Sequence, residues 1–188
     1  GDVGQVDAQG RLYVTGRAKD MIIRSSHNID PLMIEDTLQK HPDVLMAAAV
    51  GAPDEYAGEL PVAYVTLRPG ATTDAPSLLL FTEQHMPERP AVPKQIVVLD
   101  ALPVTAIGKF FKPRLREMAA QQVIEDRLAQ RGLSGTVAAQ VLADSKGVQV
   151  IFDCGGDAAA AATVKDMMAP FALRWRIADH ASAPQVGA

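Results

Sequence analysis

The sequence predicts an α+β fold, a small twisted sheet with flanking helices, followed by a ββαβ extension. Three observations predict it. Short β-prone runs bounded by Gly, Pro, Asn and Asp are interleaved with stretches of helical apolar spacing. The rhythm changes after Arg131-Gly132-Leu133-Ser134-Gly135, where Val137, Ala139 and Val141 alternate, as do Val148, Val150 and Phe152. Composition is that of an ordinary globular chain, 48% hydrophobic and 21% charged, but with only 5% aromatics, so aliphatic side chains must build the core.

The elements follow in order. Residues 1–19 read as a hairpin turning at Asp7-Ala8-Gln9-Gly10. Gly16-Arg17-Ala18-Lys19-Asp20 is polar and flexible, Met21-Ile22-Ile23 a short buried strand, and Ser25-Ser26-His27-Asn28 a polar loop. Asp30 caps a helix whose first position suits Pro31. Ile34 and Leu38 give its apolar stripe, and it stops near Lys40-His41, before Pro42. Residues 44–51 and 61–68 pair as strands across the turn-rich segment 53–58. A short helix over 76–86, a strand from Gln95 to Leu99 and a helix over 113–130 come next. The stripe of that last helix (Leu115, Met118, Ala119, Val123, Ile124, Leu128) drifts around the axis. Two strands joined at 144–147, an Ala-rich helix over 157–169 and a strand over 172–178 complete the extension. The tail from Ala181 is expected to be loose.

Charge and composition exclude several classes of function. Eighteen Lys+Arg against 22 Asp+Glu give a net charge of −4 with no basic block, so no nucleic-acid partner is expected. Arg174-Trp175-Arg176 reads as an alternating strand with its charges outward. The single Cys154 excludes an intrachain disulfide and reads as a small buried hydrophobe. His41, His85 and His180 stand in no metal spacing. No apolar run reaches the roughly 18 residues that a membrane-spanning helix needs, and no leader precedes Gly1, so a cytoplasmic location is expected. The opening Gly1-Asp2, without Met, reads as the start of a carboxyl-terminal piece of a longer polypeptide.

Two segments carry chemistry. In Asp100-Ala101-Leu102-Pro103-Val104-Thr105-Ala106-Ile107-Gly108-Lys109 a strand ends, Pro103 stiffens its exit, and Lys109 projects from a glycine-containing loop. An ammonium on a flexible stem suits phosphate and carboxylate oxygens, although a lone Lys is usually a solvated surface group. Gly16-Arg17-Ala18-Lys19-Asp20-Met21-Ile22-Ile23-Arg24 has the character of a hinge, or of a hairpin exit with solvated charges.

Together with Gly1-Asp2, with His27-Asn28-Ile29-Asp30-Pro31 before Ile34-Glu35, and with Gly58-Glu59-Leu60-Pro61-Val62-Ala63-Tyr64-Val65, these motifs resemble the carboxyl-terminal part of adenylate-forming enzymes. That class includes acyl-CoA synthetases, luciferases and peptide-synthetase adenylation domains. The resemblance covers residues 1 to about 118; residues 134–188 resemble nothing identified.

The resemblance implies residues 1–19 as the tail of an absent amino-terminal domain, 20–131 as a mobile lid and 132–188 as an added extension. It implies an ATP-dependent acyl-CoA synthetase. Asp2 and Arg17 would contact the ribose and phosphate of ATP, Lys19 and Asp20 would form the hinge, and Lys109 would serve adenylation. Arg24, Ser25, Ser26, His27 and Asn28 would line the CoA tunnel. ATP, Mg²⁺ and CoA would act in the full-length enzyme, with none bound by this piece alone, which would be inactive; no metal ligand falls in it. The expected partners are the amino-terminal domain and CoA or an acyl-carrier thiol. Ser25-Ser26 stands where the class usually has two glycines, so carrier-protein loading stays open as an alternative. So does a non-catalytic module that dimerises through sheet edges at 136–152.

Overall fold

The computed structural model describes residues 2–144 and 147–178. The first hairpin joins β1 (Asp2–Val6) to β2 (Leu12–Arg17). Its turn is built on Asp7, whose carboxylate accepts from the amides of Gln9 and Arg11, both at 2.9 Å, and pairs with the Arg11 guanidinium at 2.6 Å. These bonds hold the Asp7 carboxyl below the usual carboxylate range. A 3-10 turn, Ala18–Asp20, follows where the sequence predicts a flexible stretch.

The main sheet contains β3 (Ile22–Arg24), β4 (His27–Ile29), β5 (Val44–Asp54), β6 (Gly58–Leu67) and β7 (Gln95–Val98). Its order is β4-β3-β6-β5, with β7 parallel to β6. β5 pairs with β6 along its whole length, so β3 and β7 share the other edge of β6. The expected polar loop 25–28 shrinks to the two residues Ser25-Ser26, because His27 pairs with Arg24 and Asn28 with Ile23. The expected connector 53–58 likewise shrinks to Glu55-Tyr56-Ala57, since Asp54 takes the amides of Tyr56 and Ala57 and closes the turn early. Ile23, expected to be buried, is 55% exposed: on so short a strand only Ile22 faces the core.

Helices cover both faces of this sheet. α1 (Pro31–Gln39) is capped by the Asp30 carboxylate, which accepts from the Leu32 amide at 3.0 Å. α2 (Ala75–His85) is capped in the same way by Asp74 on Ser77. These two helices pack Ile34, Leu38 and Leu78 against Ala47, Ala49, Ala63 and Val65. Ile34, Leu38 and Leu78 have no exposed surface, and each contributes about 1.5–3 kcal/mol of burial. The alternate residues Ala48, Val50, Val62 and Tyr64 face the opposite side and meet Leu115 and Ala119 of α3 (Lys112–Gln130). Burial on both faces is why 44–51 and 61–68 read as continuous apolar runs.

α3 serves two cores. Leu115 and Ala119 face the main sheet, whereas Ala120, Ile124 and Leu128 pack into the extension, with Val123 touching both. The drift of its apolar stripe has this cause: one residue, about 100° of helix, separates the two faces. The helix stops at Gly132 (φ 68°). The Leu133 amide bonds Leu128 O at 2.8 Å, the Gly132 amide bonds Ala129 O, and Leu133 joins Leu128 in the core.

The extension holds β8 (Ala138–Asp144), β9 (Gly147–Asp153), α4 (Ala158–Met168) and β10 (Arg174–Ile177). The sheet order is β10-β9-β8, with β10 parallel to β9. β9 is thus covered on both edges, leaving β8 and β10 outermost, and Glu117 of α3 occupies the β8 amide of Ala143. Arg174 and Arg176 point outward while Trp175 packs edge-on against Phe152. Cys154 is buried. His180 and the tail from Ala181 lie outside the described residues. No described helix is long and apolar enough to cross a membrane.

Candidate functional site

Lys109 sits on a tight loop between β7 and α3. Val104 and Phe110 form an isolated bridge, the Thr105 amide bonds Lys109 O at 2.7 Å, and the Gly108 amide bonds Thr105 O at 2.9 Å. Gly108 takes φ +75°, which lets the chain turn back within four residues. The Thr105 hydroxyl accepts from the Lys109 amide at 3.2 Å. The backbone of Lys109 is therefore fixed, while its side chain is exposed and carries no ion pair among the described residues. Ile107, at 78% exposure, shares the loop tip.

The base of this loop is anchored in the core. Three residues beyond Lys109, the Lys112 Nζ lies 2.8 Å from Oε1 of Glu35 on α1, and the same oxygen accepts from the Ala49 amide of β5 at 2.9 Å. Burial raises the Glu35 carboxyl above its ordinary range, even against the opposing Lys112 charge and the Ala49 bond. Glu35 stands within a motif read from the sequence, but only the folded chain shows what it does.

Lys19 and Asp20 fall in the 3-10 turn and are clamped to α3. Arg116 Nη2 lies 2.8 Å from Asp20 Oδ1 and 3.2 Å from Lys19 O. Arg116 was not among the expected site residues. It lies 96 positions from Asp20, and no local pattern marks it.

Arg24 to Asn28 form one hairpin. Arg24 Nη1 donates to Pro90 O at 2.7 Å, which turns its guanidinium toward the 3-10 turn Arg89–Ala91. Ser25 donates its amide to Ala57 O at 2.7 Å and has φ +54°, the only positive φ at a non-glycine among the described residues. Ser26, His27 and Asn28 are exposed. Beneath the hairpin, Glu59 Oε2 accepts from the Ile23 amide at 2.9 Å, and burial raises this carboxyl too. Asp2 is the register partner of Arg17 across the first hairpin, and Arg17 is exposed. The structure thus groups the expected residues on three supports: the first hairpin, the 3-10 turn clamped by α3, and the β3–β4 hairpin. Lys109 stands on a fourth. No cluster of metal-ligating side chains occurs among the described residues.

Residues 33–109 match the family described as AMP-binding enzyme C-terminal domain, and Lys109 is the last residue of the match. Marinolic acid–CoA ligase of Pseudoalteromonas sp. is 57% identical over 116 residues, 62% of this chain and 18% of that protein. The ATP-bound structure of MatB from Rhodopseudomonas palustris superposes with a TM-score of 0.59 at 32% identity, covering 63% of this chain and 23% of that one. The amide bond synthetase McbA from Marinactinospora thermotolerans superposes with a TM-score of 0.56 at 37% identity, covering 62% and 24%. The chain spans about a fifth of the length of the curated ligase it matches.

Proposed function

We propose that this chain is the carboxyl-terminal part of a cytoplasmic, ATP-dependent acid–thiol ligase, on the match of residues 33–109 to the AMP-binding enzyme C-terminal domain family. In this reading residues 1–19 complete an amino-terminal adenylation domain, 20–131 form the mobile lid and 132–188 are an added extension. The full enzyme joins a carboxylate to the α-phosphate of ATP with release of pyrophosphate, and then passes the acyl group to the thiol of CoA with release of AMP.

The observation that carries the reading is Lys109: an exposed ammonium, without an ion-pair partner among the described residues, on a loop whose backbone is locked by hydrogen bonds and whose base is pinned by Lys112 and Glu35. A cation presented this way meets an anionic oxygen without first breaking a salt bridge. Placed between the substrate carboxylate and the α-phosphate, it offsets charge that grows as the new P–O bond forms. Mg²⁺ would travel with the triphosphate and lower its charge; no residue of this chain is assigned to hold it. Asp2 and Arg17 face the nucleotide ribose and phosphate, and a turn about Lys19 and Asp20 exchanges the Lys109 loop for the β3–β4 hairpin. Arg24, Ser25, Ser26, His27 and Asn28 then border the thiol arm. The left-handed φ of Ser25 supports this, because the serine keeps a glycine-like backbone while adding a hydroxyl.

The Ser25-Ser26 pair also keeps a second acceptor open, a carrier-protein thiol. Assaying the full-length enzyme with free CoA and with a carrier protein separates the two. The main test is Lys109→Ala in the full-length enzyme. Adenylate formation should be lost while thioester formation from supplied acyl-adenylate persists; equal loss of both steps would refute the assignment.

A further inference from the structure

A half-open cavity of about 380 Å³ lies between the main sheet and α3. That volume is within the range of small-molecule sites, roughly 300–1,000 Å³. None of its lining residues belongs to the Lys109 loop or to the β3–β4 hairpin, so it stands apart from the site described above. Leu60, Val62 and Val97 line it from the sheet, and Met118, Ala119 and Val123 from α3.

Tyr64 also lines it. This residue is 3% exposed, and its hydroxyl, which is not fully buried, makes no hydrogen bond among the described residues. A hydroxyl not fully buried is open to solvent, and exchanging water for a ligand acceptor in a partly desolvated site gains about 0.5–1.5 kcal/mol. Burial pushes the phenol up to about 12, so at neutral pH it is an O–H donor. The charges at the mouth cancel: Lys94 and Arg127 against Asp54 and Asp126. Arg127 is further neutralised by Glu55 at 2.7 Å, and Asp54 is occupied by two turn amides. A full charge of either sign therefore finds no complementary field there.

We propose that this cavity binds a small uncharged molecule with an apolar body and a carbonyl oxygen, held by a hydrogen bond donated from the Tyr64 hydroxyl. The site lies where the family-matched segment meets α3, and it holds or fails independently of the ligase reading.

The test is amide-resolved NMR titration of the 188-residue chain with N-methylbenzamide, and with benzoate and benzylammonium as charged counterparts. The neutral probe should bind saturably at about millimolar Kd, shifting the amides of Val62, Tyr64, Val97, Ala119 and Val123. Tyr64→Phe should fold as the parent does and bind it about tenfold more weakly. Ala119→Leu, which fills the cavity, should abolish binding; Gln122→Trp at the mouth serves the same end if the first variant does not fold. No saturable binding, shifts located elsewhere, equal affinity in Tyr64→Phe, or tighter binding of either ion would each overturn the proposal.

Discussion

Lys112 and Glu35 form an ion pair 2.8 Å long, with side chains only 16% and 5% exposed, that joins the first residue of α3 to α1. The pair also settles an edge. Ala49 lies on β5, whose other edge is paired with β6, and Glu35 takes the Ala49 amide that points away from the ladder. One carboxylate therefore satisfies a strand edge, holds a helix start and fixes the stem of the Lys109 loop.

Removing one partner should be costly. Glu35→Ala leaves an ammonium and an amide without their acceptor, and should lower the unfolding free energy by about 3 kcal/mol. Replacing both partners with Glu35→Leu and Lys112→Met should recover most of that loss. Urea unfolding of the two variants checks this; equal destabilisation would contradict it.

Two carboxyls, the buried Glu35 and the half-buried Glu59, set a pH dependence. Glu35 and Glu59 are both raised above the ordinary value of 4.5, mainly by burial. Relative to the unfolded chain, folding penalises their charged forms. The stability they contribute is thus complete below 4.5 and is lost as pH rises through their folded-state values. Glu59→Gln keeps an acceptor for the Ile23 amide but cannot ionise. Its urea midpoint should fall less steeply than the parent's as pH rises above 4.5.

Ser25 holds a left-handed backbone at φ +54°, in a two-residue turn where glycine is the natural occupant. Ser25→Gly should raise stability by about 1 kcal/mol, since the strain relieved exceeds the entropy added to the unfolded chain. Ser26→Gly, which relieves no such strain, should not stabilise. Thermal unfolding of the two single variants distinguishes them.

Thr66 is 3% exposed, and its hydroxyl is buried without a hydrogen-bond partner among the described residues. Thr66→Val keeps the shape and β-branching while removing the unsatisfied group. It should stabilise the chain by about 1 kcal/mol in urea unfolding, against the usual direction of core substitutions.

The sequence by itself determined the local elements and the order of the motifs. Asp30, Asp74 and Asp157 cap their helices through bonds to residues two or three positions on, and the alternation over 137–152 fixes strands. The loop that carries Lys109 was legible because it is made by residues within a few positions of it. Tertiary structure alone decided what holds these pieces in place: Lys112 on Glu35, Arg116 on Asp20, Glu59 under Ile23, and the rotation of α3 from one core to a second. Hydrogen bonding and capping act over a turn of chain and leave a pattern in the sequence. Ion pairs and shared cores join residues up to 96 positions apart, and only their packing brings them within reach.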